Sequence, residues 1–346
     1  MCSAKRLTPF FMSNDINRSN RNEYPPPRPR MDAPPPPPPH PSSELYRDIL
    51  LLWNQDTELH AEHPMVYHSE SPRLAVIIDP RYDTIMEAVI RQCMFFMNPA
   101  GWNLCVFSYR GHEEAVKRAF PYAIFRPIPD SMIYFDDQHH PQMTIRHYNR
   151  LLTSVEFYES LPAERIAIFQ KDCILYRPIP DYFSKYYDFA GANWYVLSDN
   201  RTLFAGINGG FSLRNRSAML DCIRRVSYAQ IRESFPYMCI ARHADGDAID
   251  ADAIDADDDS RGMNEDVFFT GACDLLRKTI PDMIHRSFLA IEYDYHLNTC
   301  VYHGWNKNYH SFEMAVELLK RSPLFWRYFP PSVGADPSFV MQYTID

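Results

Sequence analysis

Four apolar residues, Ile166-Ala-Ile-Phe169, run straight into three polar ones, Gln170, Lys171 and Asp172, before an apolar run resumes at Cys173-Ile-Leu-Tyr176. The first run is too short for a free-standing helix and is rich in β-branched and aromatic side chains. That favours a strand buried on both faces. A carboxylate just past the carboxyl end of such a strand stands where open α/β sheets bind ligands. The alternative is a strand-end turn that carries a solvated Asp172.

Upstream, similar runs alternate with helix-period segments. Leu74-Ala-Val-Ile-Ile78 is apolar until Asp79, and Pro80 and Arg81 then break it. Thr84 to Met97 sets Ile85, Val89, Cys93 and Phe96 on one side of a helix. Trp102 to Tyr109 reads as a second strand, Glu113 to Phe120 as a second helix and Ala123 to Phe125 as a third strand. Ile145 to Leu161 reads as one helix with Leu151, Leu152, Val155 and Tyr158 toward the core. This order predicts an α/β fold, a mostly parallel sheet with helices on both faces.

Downstream, Pro178 and Pro180 mark a turn into Tyr182 to Tyr187. Phe189-Ala-Gly-Ala-Asn-Trp194 leads to Phe204-Ala-Gly-Ile-Asn-Gly-Gly-Phe-Ser-Leu213. Within it Asn208-Gly209-Gly210 reads as a tight bend, because glycine reaches backbone angles closed to other residues, or as an Asn-Gly hairpin turn. Ser217 to Arg225 predicts a helix capped by Asn215 or Ser217. Asn264-Glu265-Asp266 opens another, Val267 to Leu276.

The ends are of different composition. Pro25 to Pro41 holds eleven of the chain's 29 prolines, so residues 1–43 predict a disordered tail with polyproline II character. That tail is either a solvated spacer or, with Arg28 and Arg30, a ligand for a polyproline-binding partner. Residues 44–72 supply an N-terminal helix (Leu45, Ile49, Leu52 and Trp53 on one face, Ser42 or Ser43 as cap) and a linker. The main domain is expected over 73–310, and a C-terminal helix and tail over 311–346.

The net charge of −9 is concentrated. Asp245 to Asp259 carries eight aspartates and no base, and setting them aside leaves 36 acids against 35 bases. That stretch predicts a solvated insert over 244–261, and the near-neutral remainder gives no nucleic-acid surface. The eight cysteines form no Cys-x-x-Cys pair, which disfavours a zinc knuckle. Cys93, Cys105 and Cys173 read as small core hydrophobes. No run reaches the length of a signal peptide or a membrane helix, so a cytoplasmic location is expected.

The order of landmarks is more specific than any one of them. Phe169-Gln-Lys-Asp172, Ala190-Gly-Ala-Asn-Trp194, Asn208-Gly-Gly-Phe-Ser-Leu-Arg214, Asn264-Glu-Asp-Val-Phe-Phe269 and His303-Gly-Trp305 follow one another. The series resembles a glycosyltransferase-like domain family of largely unknown function, found in large DNA viruses and microbes. The resemblance spans Leu74 to Tyr309. It implies a GT-A fold, a Rossmann-like nucleotide-sugar half joined to an acceptor-side subregion, and transfer of a sugar from a nucleotide-sugar donor to a glycan or protein acceptor. Two positions depart from the pattern: Lys171 replaces a small residue, and Asn193 replaces proline. Gln170-Lys171-Asp172 also stands where GT-A enzymes carry Asp-x-Asp.

On that resemblance, Mn²⁺ or Mg²⁺ would be held by Asp172 and His303 and would neutralise the leaving diphosphate. Lys171 and Gln170 would face the diphosphate, and Asp79 and Arg81 the nucleobase and ribose. Asn208, Gly209 and Gly210 would approach a sugar hydroxyl, and Trp194 would stack on a sugar ring or fill the core. Asp266 would act as general base, with Glu265 second or binding the acceptor. Each has a plainer alternative: a loop histidine for His303, and acids at a helix N-terminus stabilised by ~0.3–1 kcal/mol for Glu265 and Asp266. A non-catalytic glycan- or partner-binding module on the same frame is the competing function. A dehydrogenase is disfavoured, because no Gly-x-Gly-x-x-Gly follows Ile78.

Overall fold

The computed structural model describes residues 41–198, 201–236, 263–292, 295–305 and 312–322. The proline-rich tail up to residue 40, the whole acidic insert expected over 244–261 and the residues after 322 lie outside them.

The apolar runs fold as read. Strands β1 (Arg73–Ile78), β2 (Asn103–Ser108), β3 (Ile124–Pro127) and β6 (Arg165–Phe169) lie parallel, in the order β3-β2-β1-β6. Two long antiparallel strands, β8 (Phe189–Ser198) and β9 (Arg201–Asn215), extend the sheet to six, with β9 against β6. Two-residue strands at Tyr134–Phe135 (β4) and Pro141–Gln142 (β5) form a separate ribbon. The fold is α/β with a mostly parallel sheet flanked by helices.

The period of two along each strand divides the core into two layers. Ala75, Ile77, Leu104, Val106, Ala167 and Phe169 face helices α1 (Pro41–Gln55) and α3 (Thr84–Met97). Leu74, Val76, Ile78, Cys105, Phe107, Ile166 and Ile168 face the other way. There they meet α5 (Ile145–Leu152), α6 (Val155–Glu159), α8 (Arg216–Arg225) and a helix over Glu265–Leu275.

Three boundaries differ from the sequence reading. The helix expected from Ile145 to Leu161 breaks at Thr153-Ser154, where the Ser154 hydroxyl accepts from the Phe157 amide and starts a new helix. The N-terminal helix likewise breaks at Asp56, which caps α2 (Thr57–Glu62). That first helix already begins at Pro41, so Ser43 is not its cap; its hydroxyl donates to the Trp305 carbonyl. The third difference is the Gly-Gly segment, described below.

A small second sheet sets the site. β7 (Cys173–Leu175) leaves β6 after the Gln-Lys-Asp segment and pairs antiparallel with β11 (Val301–His303), which pairs with β10 (Ala290–Ile291). Gln92 of α3 clamps β7: its amide nitrogen donates to the Leu175 carbonyl and its oxygen accepts from the Leu175 amide at 2.9 Å. Among the described residues no helix is long and apolar enough to cross a membrane.

Two predictions follow from this packing. Gln92→Leu orphans a buried N–H and C=O and should cost about 1–3 kcal/mol for each group left unsatisfied, measured by urea unfolding. Burial pushes the Cys105 and Cys300 thiols up to about 12. Mass-mapped alkylation of the native protein at pH 8 should leave both unlabelled, and brief exposure to denaturant should label them.

Candidate functional site

The parallel strands β1 and β6 end side by side, with Ile77 opposite Phe169. Their carboxyl ends therefore carry Asp79-Pro-Arg81 and Gln170-Lys-Asp172 next to each other. Asp79 is buried, and both its oxygens are occupied by Arg81: the guanidinium meets Oδ1 and Oδ2 at 2.9 Å, and the Arg81 amide meets Oδ1 at 2.8 Å. The pairing raises the Arg81 pKa further. Asp83, not Asp79, caps the following helix, and it also takes an ion pair from Lys171. Its carboxyl pKa is lowered: burial works against the charge, and the bonds from Lys171 and the Met86 amide outweigh it.

Register brings His303 to Asp172. His303 pairs with Cys173 across the small sheet, and the turn after it is closed by Gly304 in the left-handed region (φ 83°). The Gly304 amide donates to the Asp172 carbonyl at 2.9 Å. On the side chains, His303 Nε2 lies 3.2 Å from Asp172 Oδ1 and 3.1 Å from Gln170 Oε1. The Gln170 amide nitrogen in turn donates to the Tyr148 hydroxyl at 3.1 Å.

Asn208, Gly209 and Gly210 join this group from inside β9, not from a bend. The strand runs through them as a bulge, its pairing with β8 shifting register between Ile207 and Ser212; Gln170 donates its amide to the Gly210 carbonyl, and neither glycine has positive φ. The glycines are required by what crosses them. A Cβ on Gly209 would overlap the Glu265 carboxylate, and one on Gly210 would overlap the His303 imidazole. Locally, close approach and turning call for the same residue, so the pattern alone could not separate them.

Glu265 and Asp266 open the helix Glu265–Leu275, and both are buried. They are held differently. Glu265 Oε2 pairs with Arg214 at 3.0 Å, and that guanidinium is fully buried, also bonding Tyr158 and Ser212 and lying over the rings of Phe189 and Phe269. Burial opposes the Arg214 charge, but Glu265 and Tyr158 outweigh it and hold its pKa above the ordinary value. Asp266 instead faces backbone: Oδ1 accepts from the Val267 amide at 2.7 Å and Oδ2 from the Gly209 amide at 3.4 Å. The helix start is fixed from α5, where Asn149 donates to Asn264 and accepts from the Glu265 amide.

Trp194 fills the core. Its ring packs over Gly206 and its indole N–H donates to the Ile207 carbonyl at 3.1 Å, so the stacking alternative gives way. Arg214 and Glu292 were missed in the sequence reading. Arg214 sat in a quoted motif without a role, and Glu292 carried no spacing that marked it. Glu292 is 2% exposed, accepts from Asn208 Nδ2 at 2.5 Å and lies 3.5 Å from His303 Nδ1.

Asp172 and His303 are the residues that could hold a cation. Their 3.2 Å separation matches the roughly 3 Å between adjacent ligands of an octahedral ion at ~2.1 Å. A carboxylate with an imidazole suits Mn²⁺ better than Mg²⁺. No group of three or more His, Cys, Asp and Glu arranged for a metal occurs among the described residues. The protein would thus offer two ligands and leave the rest to a substrate's oxygens. Of the two cavities described, one of about 380 Å³ is lined by Arg224, Arg225 and Tyr228 and one of about 140 Å³ by His60, Phe95 and Tyr122. Neither borders this cluster, whose more accessible edge is Gln170-Lys171-Asp172.

A family model described as "Protein of unknown function (DUF5672)" matches residues 131–304, half of the chain. The chain belongs to this family. The DUF5672 span takes in Asp172, Asn208 to Gly210, Glu265, Asp266 and His303, and leaves out β1 with Asp79 and Arg81. A search of curated proteins finds no match. Among solved structures, galactosyltransferase LgtC in complex with donor and acceptor sugar analogs aligns at 12% identity and a TM-score of 0.39, over 74% of this chain and 99% of that one. Mouse xyloside xylosyltransferase 1 in its apo form aligns at 12% and 0.42, over 67% and 97%. A 4-diphosphocytidyl-2C-methyl-D-erythritol synthase from Anaerococcus prevotii aligns at 10% and 0.29, over 60% and 86%. At such scores the fold rests on the strand order itself.

The buried pair under the site gives a test. Arg214→Met leaves Glu265 charged and uncompensated and should cost about 3–5 kcal/mol. Arg214→Met with Glu265→Leu should recover most of that loss in the same denaturation assay. Gly210→Ala should cost about 1–3 kcal/mol by overpacking against His303.

Proposed function

We propose that this chain transfers a sugar from a nucleotide-sugar donor to a glycan or protein acceptor on a GT-A-like frame. One observation carries the reading: Asp172, His303, Gln170 and the Asn208-Gly209-Gly210 backbone, from three separate stretches of chain, converge at the carboxyl edge of a mostly parallel sheet. That edge is where open α/β sheets take nucleotides. Oxygen-rich groups around one imidazole also suit a diphosphate with its cation.

In this reading Asp172 and His303 hold Mn²⁺ or Mg²⁺, which when bound neutralises charge on the departing diphosphate. Lys171 and Gln170 line the diphosphate side. The Lys171–Asp83 pair is partly exposed and therefore weak, so Lys171 is available to a phosphate at little cost. The Arg81–Asp79 fork stands at the nucleoside end. Asp266 takes the acceptor proton in an inverting reaction. Glu265 is committed to Arg214 and serves to fix the helix start that carries Asp266.

A second reading is favoured by one feature. Gln170 replaces the first acid of an Asp-x-Asp pair, which a non-catalytic binding module on this frame would tolerate.

A donor screen tests the choice. The full chain with Mn²⁺ is incubated with a panel of nucleotide sugars, and donor hydrolysis and thermal shift are read. Turnover of at least one donor is expected, and Asp172→Ala should reduce it on the order of 100-fold or more while leaving the melting temperature within a few degrees. Silence from every donor in the wild type would favour the binding module.

A further inference from the structure

The cavity of about 140 Å³ lies at the opposite end of the parallel strands from the candidate site. Asn103 and Leu104 open β2 there, Ala123 precedes β3, and Met94 and Phe95 belong to the last turn of α3. Most of its wall is apolar, with Phe95, Phe120 and Leu104 among the lining side chains. An apolar cavity of roughly 150 Å³ accepts one benzene-sized ring.

Two asparagines hold the wall in shape. Asn98 accepts from the Val66 amide and donates to the Val66 carbonyl, both at 2.9 Å. Asn103 does the same for His68, at 2.8 and 2.9 Å. The chain over 66–68 is thereby pinned and the space is formed in advance, as small-molecule sites generally are.

One polar atom on the wall stands out. His60 Nε2 is buried and has no hydrogen-bond partner among the described residues, and a buried polar group left unpaired is costly. Burial and the Arg91 charge lower the His60 pKa, which favours a neutral ring. The Trp53 and Asn54 carbonyls oppose that shift without reaching hydrogen-bond geometry at Nε2. Arg91 is itself engaged: Glu87 and Asn54 accept from its guanidinium, which lies 5.0 Å from the centre of the Phe120 ring.

We propose that this cavity binds a neutral molecule with one aromatic ring and one hydroxyl, a phenol, whose ring lies among Phe95, Phe120 and Leu104 and whose hydroxyl meets His60 Nε2. A hydroxyl both donates and accepts, so it suits either tautomer of the imidazole. An ammonium would face Arg91, and a carboxylate would be desolvated beside a guanidinium already paired with Glu87. The inference is independent of the roles assigned to Asp172 and His303.

Methionines give the test, because Met65 and Met94 line the cavity and the rest of the chain's 15 serve as controls. The full chain is labelled with ¹³C-methyl methionine, the two signals are assigned with Met65→Leu and Met94→Leu, and phenol or toluene is titrated in. Both should shift the Met65 and Met94 methyls saturably, phenol with a Kd on the order of 1 mM or below. His60→Leu should weaken phenol about 3–10-fold, the worth of one neutral hydrogen bond, and leave toluene within about twofold. Ala119→Leu, which places a larger side chain in the cavity, should abolish both.

The proposal is overturned if phenol gives no saturable shift of Met65 and Met94, if binding survives Ala119→Leu, or if His60→Leu weakens phenol and toluene alike. Should a variant fail to fold, wild-type Overhauser contacts decide: those from the phenol ring to the Met94 methyl are expected, and their absence overturns the proposal.

Discussion

Two missing β-carbons hold the candidate site's edge of the sheet together. β9 passes through the sheet next to β6, and at Gly209 and Gly210 its backbone is crossed by Glu265 from one side chain layer and His303 from another. Any side chain at either glycine would drive one of those groups away. The helix start at Glu265 and the small sheet that ends in His303 are separated in sequence by nearly forty residues. They meet only because the strand between them is bare there. Fold and site thus share one constraint.

That constraint explains which parts were legible in sequence. The strands around Val76, Val106 and Ile168 were readable because burial on both faces leaves a continuous apolar run, whatever lies around it. The helix over Thr84–Met97 was readable to the residue because its cap and its apolar spacing are local. Asn208-Gly209-Gly210 was not. A glycine pair chosen for a turn and one chosen for close approach look alike in sequence, and only the three-dimensional neighbours distinguish them. The break at Ser154 was hidden for a related reason: apolar spacing continued across it, and a single capping hydroxyl ended one helix and began the next.

Electrostatics divide the acids of the site into two kinds. Glu265 has a fully buried arginine against it, with Tyr158 and two aromatic rings completing the enclosure. Such a pair adds little net stability, but breaking it is costly, and it commits both partners. Asp172, Asp266 and Glu292 instead gather around backbone amides, an asparagine and one histidine. Neither Arg214 nor Glu292 could be picked out from spacing, because their partners lie some 50 and 84 residues away along the chain. Long-range polar pairing of this kind leaves no periodic trace.

The segment Gln170-Lys171-Asp172 is better understood through its neighbours than as a damaged acidic pair. Gln170 touches the imidazole with its oxygen and the Tyr148 hydroxyl with its nitrogen, a span that an aspartate, shorter and without a donor, does not reach. A carboxylate at position 170 would also set one more negative charge beside Asp172 and Glu292 around a single ring, and like charges at that range disfavour one another. The neutral amide keeps the polar contacts and omits the repulsion. Lys171, reaching to Asp83 at the cap of α3, ties the end of β6 to the helix that follows β1. The three residues therefore join the neighbouring strand ends and leave Asp172 as the acid that faces outward.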